Sequence, residues 1–483
     1  MLTSINQSKT YKIFLFAITL LLGGCKKFVQ INPPVTKITG ETVYSNNTSA
    51  AAAMTGIYNN MIASPSFSSG NNSIGYLTGL AADELKNYSS TITFIQFYQN
   101  ALSSSSNGNS NAYFWPGLYN KIYDANAVIE GLNNSNGVSD SIKRQLIGEA
   151  EFMRAFLHFY AVNLYGDVPL VTTTDYQINN SIHRTPVERI YQQIVADLRD
   201  AQNKLTDDFV DYSGLTTSER TRPNKAAATA LLARAYLYTG KWDSAETQAT
   251  AIINNNSRYT IVNNFDSIFL ANSSEAIWQL QPVTPGHNTY DGQYFVLTST
   301  PGSASLSVAL STNLMNAFET GDKRLSNWVG TYKKSGANQS YYFPYKYKIY
   351  KVSTSQPVTE YTMVLRLAEQ YLIRAEARAQ QGNIQGSQDD LNTIRARAGL
   401  PNTLANDQST LLTAISHERQ VELFTEWGHR WLDLKRTGAV NSVMSVVTPQ
   451  KGGSSWSSNW ALLPIPLSEL TINPNLVQNP GYN

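Results

Sequence analysis

Hydrophobic positions change their spacing along this chain, and each spacing predicts a different element. Residues 13–22 form one apolar run, preceded by Lys9 and Lys12 and followed by Gly23, Gly24 and the only cysteine, Cys25. The run is too short to span a bilayer as a stable helix. A basic flank, a short apolar core and small residues before a cysteine are the signal of a lipid-attached exported protein. Cys25 is therefore predicted to carry the lipid, with residues 1–24 removed. Residues 25–40 contain Pro33-Pro34 and no helical period, as expected of an extended tether.

From residue 41 the apolar spacing becomes helical and recurs over 48–63, 115–132, 141–165, 186–205, 223–239, 242–254, 365–381, 385–398 and 409–436. Two of these stretches read as closely packed helix pairs. Around Gly240, small Ala227, Ala233 and Ala235 precede Tyr236 and Tyr238, and Trp242, Ala245 and Ala249 follow; residues 371–394 repeat the logic around Gly382. Small residues facing large ones are the tetratricopeptide way of burying two amphipathic helices together. Arg154-Ala155, Arg234-Ala235 and Arg374-Ala375 recur in comparable helices. Between 255 and 364 the pattern is loop-like, with short β-prone runs at 276–281, 294–298 and 345–352. The expected fold is mainly α, with tetratricopeptide-like pairs beside an irregular, loop-rich region containing short strands. Its parts are 41–254, 255–364 and 365–483 of a single unit.

Composition narrows the chemistry. Net charge is +2 and only 15% of residues are charged, which disfavours nucleic acid as a partner. Phosphate-binding glycine loops and the G-x-S-x-G nucleophile elbow are missing from the sequence. His417-Glu418 opens like a zinc-protease helix, but Val421 stands where the second histidine belongs; Glu426 and His429 lack the second pair that a carboxylate-bridged metal site needs. No catalytic residue, metal or cofactor is implied. On a continuous helix Arg419, Glu422, Glu426, Arg430 and Asp433 share one arc, which reads as a structural ion-pair stripe. The chain also has 28 tyrosines and 8 tryptophans, a surplus of side chains with an apolar body and a polar tip.

Three blocks carry a family resemblance: EAEFMRAFLHFYAVNLYGDVPLV at 149–171, RQVELFTEWGHRWLDLKRTG at 419–438 and WALLPIPLSELTINPNLVQNPGY at 460–482. With the signal ending at Cys25 they resemble the SusD/RagB family of outer-membrane lipoproteins from the Bacteroidetes. The resemblance implies an outer-membrane protein facing the cell exterior. It would bind a glycan or other nutrient without catalysis and hand it to a SusC-like TonB-dependent transporter, with the helical side facing that partner.

Ligand contacts are sought among loop aromatics. Tyr76 and Phe94 flank Asp83, Tyr290 and Tyr294 lie in one loop, and Trp328 and Tyr332 follow Asp322 and Arg324. Trp278 and Tyr347, which alternate like strand residues, are expected in the core, as are Trp242, Trp427 and Trp431 in helices. Two rival readings stay open: a surface glycan hydrolase, and a helical-repeat adaptor that binds only protein.

Overall fold

The computed structural model describes residues 40–63, 66–104 and 114–482. The signal segment, the lipidated Cys25 and the tether up to residue 39 lie outside the described residues. The long helices are α1 (Asn47–Ile62), α2 (Phe114–Asn133), α3 (Asp140–Tyr165), α4 (Val187–Lys204), α5 (Lys225–Tyr238), α6 (Trp242–Ile253), α7 (Leu367–Gln380), α8 (Ile384–Arg397), α9 (Gln408–Glu422), α10 (His429–Arg436) and α11 (Val440–Gln450). From α2 to α8 each helix packs on the next, and α1 covers α2 and α3. The fold is that of helix pairs stacked in chain order, with residues 254–366 inserted between α6 and α7.

The repeated arginines explain why the stack holds its register. Arg154 of α3 grips Asp197 of α4 at 2.6 and 2.8 Å, Arg234 of α5 grips Glu369 of α7 at 2.6 and 2.7 Å, and Arg374 of α7 grips Asp390 of α8 at 2.6 and 2.9 Å. Each is a fork of two parallel bonds, which fixes orientation as well as distance. The alanine after each arginine is fully buried, so the helices approach closely there. Gly240 and Gly382, at φ +67° and +77°, close the turns after α5 and α7 in a conformation that other residues rarely adopt.

The inserted part holds most of the strands. Antiparallel two-stranded ladders join β1 (Leu85–Asn87) to β5 (Val308–Leu310), β2 (Val168–Pro169) to β3 (Arg184–Thr185), β4 (Ala276–Leu280) to β8 (Thr362–Arg366) and β6 (Val329–Lys333) to β7 (Ser340–Pro344). Trp278 of β4 is fully buried edge-on to Phe152 and Phe156 of α3, so this insertion is rooted in the helical core.

Three local expectations are corrected. Residues 294–298 are not a strand: a short helix, Tyr290–Phe295, starts where the Thr289 hydroxyl accepts the Gly292 amide at 3.0 Å. Residues 345–352 are not a strand either, because the amides of Lys348 and Ile349 donate to the Glu360 carboxylate at 2.6 and 3.1 Å; the strand is β7, just before them. The helix expected over 409–436 breaks after Glu422. There Lys346 Nζ takes the carbonyls of Glu422 and Phe424 at 2.8 and 2.9 Å, and Arg366 Nη2 also takes that of Glu422 at 2.9 Å. Those carbonyls would have carried the helix onward. Thr425, Trp427 and Gly428 instead adopt φ +57°, +48° and +73°, and Trp427 turns inward against Phe156 and Tyr160. The short helix Ile74–Ala81 escaped prediction because all its residues are buried, so it shows no polar face to set a period.

The break is built on a buried ion network. Glu422 accepts from Arg366 at 2.6 Å, from Arg324 at 3.1 Å and from Arg397. Glu275 accepts from Arg366 and Arg397 at 3.1 Å, Glu418 from Arg324 at 2.6 Å, and Glu426 from Arg366 at 2.8 and 2.9 Å and from Lys346. Burial by itself would raise the Glu422 carboxyl; Arg397, Arg366 and Arg324 together hold it well below the usual carboxylate range. The expected stripe therefore spans two helices and a turn. Arg419 reaches Asp433 at 2.7 Å, but Glu422 and Glu426 serve the network and Arg430 forks Asp83 at 2.7 and 2.8 Å.

Removing one partner of such a network leaves an uncompensated buried charge. Glu422→Gln is expected to lower stability by about 3–5 kcal/mol, read as a shift of the urea midpoint at pH 7. A midpoint within error of the unsubstituted protein would show that the network carries no such strain.

Candidate functional site

Tyrosines of this chain fall into two groups, separated by what their hydroxyls do. In the core several hydroxyls are engaged, although those of Tyr76 and Tyr238 find no partner among the described residues: Tyr58 donates to Glu149 at 2.8 Å, Tyr119 to the Pro169 carbonyl at 2.9 Å, and Tyr347 accepts the Met363 amide at 2.9 Å. In the loop-rich part Tyr88, Tyr332, Tyr341, Tyr345 and Tyr350 are half-buried around a small separate apolar cluster of Val296, Leu297, Ala309 and Phe343. Their hydroxyls, and that of the 40% exposed Tyr342, have no protein partner among the described residues.

The β6–β7 hairpin places these rings. Tyr332 lies directly opposite Tyr341, and Gly330 opposite Phe343; a Cβ at 330 would come within 2.2 Å of the Phe343 ring, so glycine lets that ring lie across the partner strand. Strand alternation puts this quartet on one face and Thr331 with Tyr342 on the other. Tyr88, just beyond β1, meets Tyr341 edge-to-face at 5.3 Å, and Tyr345 meets Phe343 at 5.7 Å. Burial, and to a lesser degree neighbouring groups, raise the Tyr88 and Tyr345 phenols, so both remain neutral donors and acceptors at physiological pH. Packing fixes the rings while their polar tips stay free. Such a face can stack the C–H side of a flat polar ligand and pair with its hydroxyl rim.

Most of the loop aromatics singled out in the sequence are covered by the main core instead of forming part of this face. Tyr76 is fully buried, stacked on Phe295 at 5.2 Å and tilted on Phe94 at 5.5 Å, and Phe94 is itself buried. Tyr290 is buried with its hydroxyl on the Ala63 carbonyl at 3.1 Å, while Tyr294, 6.4 Å away, is half-buried. Trp328 is apart from them, fully buried between Phe265 and Phe269. Tyr332 alone among these candidates borders the small cluster. The residues that sequence reasoning missed are Tyr88, Tyr341, Tyr342, Tyr345 and Tyr350. For all but Tyr88 the signal was the density of tyrosine in YYFPYKYKIY, which a strand pattern alone does not separate from core.

Two other constellations have different characters. Glu319, His417 and Glu418 converge closely enough for a metal ion, yet Arg395 pairs with both carboxylates at 2.6 and 3.3 Å and Arg324 adds a bond to Glu418, so guanidinium groups already stand where a cation would. A groove of 760 Å³ opens on the helical side, lined by Trp242, Glu376, Leu412, His417, Arg419 and Arg436 among others. Arg419 lines it with both terminal nitrogens unpartnered among the described residues.

Comparison with known proteins now identifies the architecture. Residues 201–482 match the family model described as the SusD family, and residues 42–237 match one described as starch-binding associating with outer membrane. The chain belongs to the SusD family. It is 27% identical to SusD-like protein P2 of Formosa agariphila over 98% of this chain and 100% of that one. It is 25% identical to the starch-binding protein SusD of Bacteroides thetaiotaomicron over 74% of this chain and 77% of that one. Among solved structures, a SusD superfamily protein of Bacteroides vulgatus superposes with a TM-score of 0.76 at 21% identity, covering 91% of this chain and 100% of that one. A laminarin-binding SusD-like protein superposes with a TM-score of 0.73 at 24% identity, with the same coverage. Like those SusD structures, this one stacks helix pairs beside a loop-rich part.

The strand that leads to Tyr88 is held by a group that responds to pH. Asp83 forks Arg430, and the next residue, Glu84, is buried with one oxygen 3.3 Å from the Thr425 amide. Burial, then the adjoining Asp83, push the Glu84 carboxyl up to about 8. The folded state thus keeps a proton that the unfolded chain releases near pH 4, so stability is full below that pH and falls as pH rises toward 8. The expected slope is up to about 1.4 kcal/mol per pH unit, and Glu84→Gln should flatten it. Urea midpoints between pH 5 and 8 that move in parallel for both proteins would refute this.

Proposed function

We propose that this chain is a lipid-anchored binder without chemistry of its own, which captures a glycan on the tyrosine-lined face and hands it to a SusC-like TonB-dependent transporter. The observation that carries the reading is the set of packed rings with unengaged hydroxyls around Val296, Leu297, Ala309 and Phe343. Stacking and phenol hydrogen bonds are individually weak, and a few together give micromolar to millimolar affinity, which suits capture followed by release. The relatives support the same chemistry, since one is named for starch and a structural neighbour for laminarin. Cys25, if lipidated, would hold the binder at the outer membrane near its transporter.

A contact with the transporter is supported at the end of the α3–α4 pair. Tyr176, Ile178, Ile472 and Val477 are each more than half exposed there. The loop between α3 and α4 and the C-terminal tail are tied by Asn473 to the Ile182 carbonyl at 2.8 Å, by Asn475 to that of Ser181 at 2.7 Å and by Arg184 to that of Val477 at 2.7 Å. Clustered apolar side chains on such a frame suit a protein partner.

Replacing Tyr88, Tyr341 and Tyr345 together by alanine should weaken polysaccharide binding by about two orders of magnitude, at about 1 kcal/mol per ring. Affinity electrophoresis measures this, with circular dichroism as the control for folding; unchanged retardation would sink the tyrosine face as the site. Separately, Tyr176→Lys combined with Ile472→Glu should reduce co-purification of the transporter from membranes while leaving polysaccharide binding intact. Full recovery of the complex would move the interface elsewhere.

A further inference from the structure

Charge is distributed unevenly around the tyrosine face. From residue 323 to 358 the sequence has six lysines and one arginine and no aspartate or glutamate, although the whole chain is nearly neutral at +2. Arg324 and Lys346 are spent on the buried network, and Lys348 reaches Asp266 at 3.3 Å. Lys333, Lys334 and Lys351, joined by Lys86 of β1, are exposed and make no ion pair among the described residues.

Position separates Lys86 and Lys351 from ordinary solvated surface charge. Three rings of the face carry an ammonium group above them: Lys86 over Tyr88 at 5.3 Å, Lys348 over Tyr345 at 4.2 Å and Lys351 over Tyr350 at 5.9 Å. Lys333, opposite Ser340, lies on the other face of the hairpin with Thr331 and Tyr342, at the border of the tyrosine face next to Tyr332. A sugar stacked beside these rings would bring its ring substituents near the ammonium groups of Lys86 and Lys351, while the Asp266 carboxylate near Tyr345 is paired with Lys348. A neutral glycan gains nothing from the charges, whereas a carboxylate or sulfate gains at every repeat that meets one.

We infer that the ligand of this face is an anionic polysaccharide, bearing uronate carboxylates or sulfate esters. The inference rests on the tyrosine face being the glycan site. Electrostatic capture of this kind is long-ranged, selects against neutral polymers and is screened by salt.

The test is affinity electrophoresis and calorimetry of the full chain with polygalacturonate, λ-carrageenan and laminarin, which carry carboxylate, sulfate and no charge. An anionic polymer is expected to bind at least about tenfold more tightly than laminarin at low salt, and to lose most of that advantage near 0.3 M NaCl. Whichever anionic polymer is retained identifies carboxylate or sulfate as the recognised group. The variant Lys86→Gln, Lys333→Gln, Lys334→Gln, Lys351→Gln removes the four charges and is expected to abolish the preference for anionic polymers over laminarin, with circular dichroism as the control for folding. Equal or tighter binding of laminarin by the unsubstituted protein overturns the inference and leaves the glycan site standing. Anionic binding that survives the four substitutions overturns it as well. Polyanion binding that is lost with the lysines but indifferent to alanine at Tyr88, Tyr341 and Tyr345 is nonspecific adhesion, and overturns both readings, as does binding of none of the polymers.

Discussion

Glu422 lies at the meeting point of three arginines that come from distant parts of the chain. Arg324 arrives from a short helix in the insertion, Arg366 from the end of β8 and Arg397 from the end of α8. A single carboxylate thereby ties the loop-rich part to the stacked helices. Desolvating so many charges is unfavourable, and only near-complete pairing offsets it. The geometry is consequently exacting, and its return is a defined placement of one part on the other more than added stability. The same network redirects the backbone, because Lys346 and Arg366 occupy the carbonyls through which α9 would have continued.

That constraint reaches the candidate site through very few residues. Lys346 follows β7 by two positions, so the network that ends α9 also anchors the hairpin on which Tyr332, Tyr341 and Tyr342 are mounted. On the other side, Arg430 of α10 holds Asp83, two residues before the start of β1, which leads to Tyr88. The rings are thus set by elements whose positions depend on buried charge, while their outer edges meet solvent. A binder that must capture and release a polymer gains from such preorganisation, since little side-chain freedom is lost on contact.

The division of tyrosines has the same physical root. A phenol inside the core must find a partner or leave a polar group unpaired, and Tyr58, Tyr119 and Tyr347 do. A phenol at the edge of a small cluster can leave its hydroxyl to water. Neighbouring tyrosines differ in role for this reason: Tyr345 and Tyr347 are two residues apart, yet one borders solvent and the other supports β8.

What the sequence determined by itself was whatever local periodicity and family-specific blocks encode. The stacked helices from 115 to 254 and from 365 to 398 were legible from their length, their small-against-large pattern and the glycines that close several of them, and the recurring Arg-Ala steps marked where the stack would be pinned. The resemblance drawn from 149–171, 419–438 and 460–482 is matched by family membership. The tertiary structure alone decided the break at 423–428, because cations more than 50 residues away compete for its carbonyls, and no local propensity reports them. It also decided which aromatics face outward. Trp328 and Tyr76 lie in loop-like sequence but are covered by distant segments, whereas Tyr88 and Tyr341, far apart in sequence, are brought edge-to-face. Exposure is a property of what packs on a residue, and that is set by the whole fold rather than by the residue's neighbours in the chain.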